Sequence, residues 1–72
     1  MNELQLKIQD LEYTVAELKK ELRRIKTSIN RLGKLGLDTP NELLVKKEDV
    51  EGKLKQYKEE FKALKKVAKL IN

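Results

Sequence analysis

Three sets of carboxylates lie close enough in this chain to be weighed for acid–base chemistry: Glu17 with Glu21, Glu48 with Asp49, and Glu59 with Glu60. A working carboxylate pair needs a shielded pocket that drives its two members to different proton affinities. Each of these sets instead falls in a densely charged stretch that reads as solvated surface. Ser28 offers a hydroxyl, but the chain has no histidine to take its proton. The lack of cysteine removes thiol nucleophiles, disulfides and thiolate metal sites together. Gly33 and Gly36 are not followed by the lysine–hydroxyl pair of a phosphate-binding loop. The expectation is a non-enzymatic protein with no catalytic residue, no metal site, no cofactor and no small-molecule substrate.

Phosphate recognition is the chemistry that the residue types favour more. Lys19, Lys20, Arg23, Arg24, Lys26 and Arg31 form one basic stretch, and Lys55, Lys58, Lys62, Lys65, Lys66 and Lys69 form another. Clustered lysine and arginine neutralise phosphates without reading a base sequence. The candidate nucleic-acid residues are Lys19, Lys20, Arg23, Arg24, Lys62, Lys65, Lys66 and Lys69. Against this stands the order of the charges along the chain. Residues 1–18 carry a net −3, residues 19–37 a net +6, residues 38–52 a net −3 and residues 53–72 a net +5. A chain of that order folded in half lays acidic stretches beside basic ones. Intramolecular pairing then accounts for most of the charge, and a basic arm on DNA or structured RNA is the alternative function. Tyr13, Tyr57 and Phe61 are the only aromatics, too few and too close to the apolar pattern to form a base-stacking platform.

The elements that position these charges follow from spacing. Leu4, Ile8, Leu11, Val15, Leu18, Leu22, Ile25, Ile29 and Leu32 succeed one another by alternating fours and threes. That is the apolar seam of a coiled-coil helix over four heptads, and one helix alone cannot cover it. Gly33, Gly36, Asp38, Thr39 and Pro40 form the single cluster of helix breakers. Thr39 as N-cap, Pro40 at the first helical position and Glu42 two residues later predict the start of a second helix by a capping box. Gly33 or Gly36 supplies the left-handed residue that ends the first. The second seam is Leu43, Lys47, Val50, Leu54, Tyr57, Phe61, Leu64, Ala68 and Ile71, with Lys47 as its polar member. Lys47 reads as a side chain that packs its stem and sends its ammonium to water.

The architecture expected is all-α: an antiparallel two-helix coiled-coil hairpin in one domain, 1–72, self-associating into a four-helix bundle. Helix 1 covers about 3–32, the turn 33–39 and helix 2 about 40–71. Facing residue numbers can sum to 72 or, one heptad away, to 79. The first sum brings Glu12 near Lys58, Lys19 near Glu51 and Glu21 near Lys53. The second sets Lys19 against Lys58 and Glu21 against Glu60, so charge selects the sum of 72.

Two apolar sets lie outside the seams. Leu35, Leu37, Leu44 and Val45 gather at the tip, where they either cap the seam or bind a protein partner. Leu6, Tyr13, Ala63, Val67 and Leu70 gather at the open end as a self-association surface. The function expected is an adaptor, assembly factor or small inhibitor that docks on a protein partner, with a homodimer as the resting form. The longest apolar run is three residues, Leu43 to Val45, and Met1-Asn2-Glu3 does not open a secretory signal. No membrane insertion and a cytoplasmic location are therefore expected.

Overall fold

Alternating three- and four-residue spacing holds along nearly the whole chain, and the backbone follows it into two long helices. A computed structural model describes residues 2–71. Helix α1 runs Glu3–Lys34 and helix α2 runs Asn41–Ile71. They pack against each other as a hairpin measuring 54 × 16 × 15 Å. The long dimension is what about 30 residues of helix at 1.5 Å each require, with the turn added.

Each helix end has an identifiable cause. Asn2 caps α1: its backbone is extended, and its side-chain Oδ1 accepts from the Gln5 N–H at 2.8 Å. This satisfies one of the donors that a helix start leaves open. At the other end the Gly36 N–H donates to the Gly33 carbonyl at 3.1 Å, and the Leu37 N–H to the Leu32 carbonyl at 2.9 Å. These are the two bonds of a Schellman closure. It needs one residue in the left-handed region, and Gly36 occupies it at φ +74°. Of the two glycines expected there, Gly33 stays helical and Gly36 makes the turn.

The start of α2 differs from the capping box expected of Thr39 and Glu42. The Pro40 carbonyl is the first acceptor, taking the Leu43 N–H at 3.0 Å and the Leu44 N–H at 3.3 Å. Pro40 thus stands at the cap position, and the helix begins one residue later than the sequence implied. Thr39 is then one residue too far out to serve the first free N–H groups. Among the described residues the side-chain hydrogen bonds are Gln5 to Asn2 and a Thr27 hydroxyl donating to the Arg23 carbonyl at 2.9 Å.

The core is the seam and little else. All nine seam residues of α1 are buried or half-buried, as are the α2 seam residues from Leu43 to Ala68. Among the described residues only Leu11, Val15, Ile25, Val50 and Leu54 are buried outright. Ile71 departs from the pattern and is 68% exposed. In the register summing to 72 its counterpart would be residue 1, ahead of the start of α1, so Ile71 overhangs the first helix. One groove supports that register: it is lined by Ile25 and Ser28 of α1 together with Leu43 and Lys46 of α2, whose numbers sum to 71 in antiparallel order. A sum of 79 would set Leu43 and Lys46 against the turn.

Gly52 lies mid-helix on the outer side of α2, and a Cβ built there meets nothing within 4 Å. Gly52→Ala should therefore stabilise the hairpin by about 1 kcal/mol, the propensity difference of an exposed helical site. Gly36→Ala should destabilise it by about 1–2 kcal/mol, because φ +74° crowds any Cβ against the backbone. Paired urea melts followed by circular dichroism check both signs.

Candidate functional site

With the seam at heptad positions a and d, every other position is assigned to a face. In an antiparallel pair the e and b positions of both helices share one side of the hairpin, and g and c share the other. The structure agrees with this division. One groove, of about 530 Å³, follows the g and c side of α1 through Thr14, Glu17, Glu21, Arg24 and Ser28 and meets Lys46 of α2. A second, on the opposite side, is lined by Leu22, Arg23, Lys26, Thr27 and Asn30. Both are open troughs beside the seam.

The charges divide unequally between these sides. On the e and b side stand Lys19, Arg23 and Lys26 of α1 and Lys55, Lys58, Lys62, Lys65 and Lys69 of α2, opposed only by Glu12, Glu48 and Glu51: eight positive groups against three negative, a net +5. The g and c side holds five positive and seven negative groups, a net −2. The excess of the whole chain, also +5, is matched by one face. Of the candidate nucleic-acid residues, Lys19, Arg23, Lys62, Lys65 and Lys69 share that face. Lys20 and Lys66 sit on the backs of their helices and Arg24 on the opposite side.

The ion pairs expected between the helices are not closed. Among the described residues the salt bridges are Glu17–Lys20 at 3.7 Å and Asp49–Lys53 at 3.2 Å, each within one helix and each half-exposed or more. Glu12 with Lys58, Lys19 with Glu51 and Glu21 with Lys53 form no pair within 4.0 Å. Long side chains flanking a narrow seam remain hydrated, and an exposed pair gains only about 0.2–1 kcal/mol for the freedom it gives up. Intramolecular pairing therefore does not absorb the basic excess. On the basic face Lys65 has a defined neighbour, its Nζ lying 4.8 Å from the centre of the Phe61 ring.

The apolar candidates are exposed. At the tip, Leu35 is 67%, Leu37 56%, Leu44 43% and Val45 56% accessible. They leave much of their surface open: the Schellman turn carries residues 35–37 past the last seam position of α1, Leu44 flanks the seam at an e position and Val45 lies on the back of α2. At the open end Leu6, Tyr13, Ala63, Val67 and Leu70 are likewise exposed, Leu70 most of all at 87%. They do not form one patch. Leu6 and Tyr13 occupy the back of α1, whereas Ala63, Val67 and Leu70 follow the g and c side of α2. Ile71, assigned to the seam by spacing, joins the exposed apolar group. The signal for this was available in the hairpin geometry, since the register sets Ile71 beyond the Glu3 start of α1.

Among the described residues no group of three or more acidic, cysteine or histidine side chains comes together to hold a metal ion, and no helix is long and apolar enough to cross a membrane. No protein-family model, curated protein or solved structure matches this chain.

Lys47 is half-buried at a seam position facing Ile25, the one charged residue in either apolar row. Lys47→Leu should raise stability by about 1 kcal/mol through added apolar burial. The same change should weaken the uniqueness of the pairing, as loss of a polar a residue does in coiled coils. A urea melt and the dispersion of the amide NMR spectrum report the two effects separately.

Proposed function

We propose that this chain is a non-enzymatic interaction module: a stiff helical rod that presents an apolar tip to a protein partner. The observation that carries the reading is the exposure of Leu35, Leu37, Leu44 and Val45 at one end of a hairpin 54 Å long. Scattered exposed leucines are ordinary on protein surfaces. Four within eleven residues, on a turn held by a Schellman closure and a proline-led helix start, form a preordered apolar surface. Preorder matters because a partner then binds without meeting the entropy of fixing the loop. Adaptor, assembly-factor and inhibitor roles all use such a surface.

The second part of the reading is self-association at the open end, through Val67, Leu70 and the neighbouring Ile71. Five of the described residues are buried outright, so apolar burial against a second copy adds to a slender core. A homodimer, arranged as a four-helix bundle, is the form we infer. A cytoplasmic location is part of the same reading, supported by the lack of a helix long and apolar enough to cross a membrane among the described residues.

The double variant Leu37→Asp/Leu44→Asp tests the tip. Both sites are exposed, so helicity should be retained, while a protein retained from extract by the unaltered chain should be lost; unchanged retention places the interface elsewhere. Sedimentation equilibrium tests the open end. Tens of micromolar protein should give twice the 8.4 kDa chain mass, and Val67→Asp/Leu70→Asp should return it to one. A monomeric mass for the unaltered chain removes the dimer.

A further inference from the structure

The basic face has a regularity that the linear charge blocks conceal. Lys55, Lys58, Lys62, Lys65 and Lys69 follow one another by three and four residues, the same rhythm as the seam but turned to one side of it. They form a row along α2 spanning about 21 Å, with successive lysines roughly 4.5–6 Å apart along the axis. All five are exposed, and none forms an ion pair within 4.0 Å among the described residues. Across the seam, in the register summing to 72, they face Gln5, Gln9, Glu12 and Ala16 of α1, a stretch with a single carboxylate. The row is thus an almost unopposed line of ammonium groups on a straight, rigid support. Like charges at this spacing repel one another, at a cost of about 0.2–0.5 kcal/mol for each neighbouring pair on a helix.

We propose that this row docks along the phosphate backbone of duplex DNA, without reading its sequence. Three features select that occupant. The charge is linear and matches a linear polyanion. The row interleaves no apolar side chain of the kind that would enter a lipid surface. No aromatic ring is exposed on this face, so the base stacking that holds single strands is not available, and the lysines of the row accept no hydrogen bond from a ribose hydroxyl. The row starts eleven residues beyond Leu44, the one tip residue on this side, and Val67 and Leu70 lie on the opposite side.

Fluorescence anisotropy of a labelled 20-base-pair duplex of mixed sequence tests this with the full chain. Five neutralised phosphates predict binding at 50 mM salt that weakens on the order of 500-fold by 200 mM, from a slope of about 0.9 per phosphate. Lys58→Gln/Lys62→Gln/Lys65→Gln should abolish most of the affinity and lower the slope by about three. Arg24→Gln/Lys46→Gln/Lys53→Gln removes the same net charge from the other side and should change both little. Glutamine keeps helix propensity close to that of lysine, and circular dichroism confirms that each triple variant is folded. Equal loss in the two variants overturns the proposal, because net charge and not the lysine row would then govern binding. So does absence of binding at 50 mM salt. Tighter binding to an RNA duplex of equal length, or to phosphatidylserine vesicles in place of DNA, overturns the choice of partner.

Discussion

Everything in this molecule depends on one narrow contact, the a and d seam that α1 and α2 share. Each helix presents an apolar stripe only two residues wide per heptad, and neither stripe can be hidden except by the other. Because the described residues hold no third element, each helix retains an exposed back. Full burial among the described residues is therefore limited to Leu11, Val15, Ile25, Val50 and Leu54, and the other seam positions up to Ala68 are half-buried. The rod shape, the open troughs beside the seam and the exposure of the ends are consequences of that single contact.

The same seam sorts the remaining residues by angle. A heptad helix with its a and d positions committed has two flanks and a back, and the antiparallel partner brings like flank to like flank. That arrangement concentrates the net charge on the e and b side, although the charge blocks along the chain alternate in sign. It also explains why the expected interhelical pairs remain open. Flanking carboxylates and ammonium groups stand near one another, but both reach water, and little is gained by closing them. The pairs that do form, Glu17–Lys20 and Asp49–Lys53, are between adjacent turns of one helix.

The turn is the second constraint. Reversing direction between Lys34 and Asn41 requires the left-handed Gly36, and the resulting closure spends the Leu37 and Gly36 N–H groups on the last turn of α1. Residues 35–37 are thereby held beyond the end of the seam, where no side chain of α2 can cover them. Pro40 then opens α2 with its own carbonyl as first acceptor. The exposed leucines of the tip follow from how the backbone must close; they are not a failure of packing.

Much of this was legible in the residues alone. The fours-and-threes spacing identified every seam position from Leu4 to Leu32 and from Leu43 to Ala68, because periodicity is a local property that a helix turns directly into a face. The glycine and proline cluster located the reversal for the same reason. Asn2 with Gln5 carried a readable cap signal that spacing of apolar residues alone passes over. What the tertiary structure decided was whatever depends on two helices at once or on one residue of register. Thr39 lost the cap to Pro40 by a single position, and Ile71 fell outside the seam because α1 does not extend to meet it. The charges, which seemed in linear order to answer one another across the hairpin, stand apart in space. Proximity along folded halves fixes neither the angle nor the desolvation that an ion pair needs. A sequence states which residues share a helix face; only the packed pair determines which faces are covered, and by what.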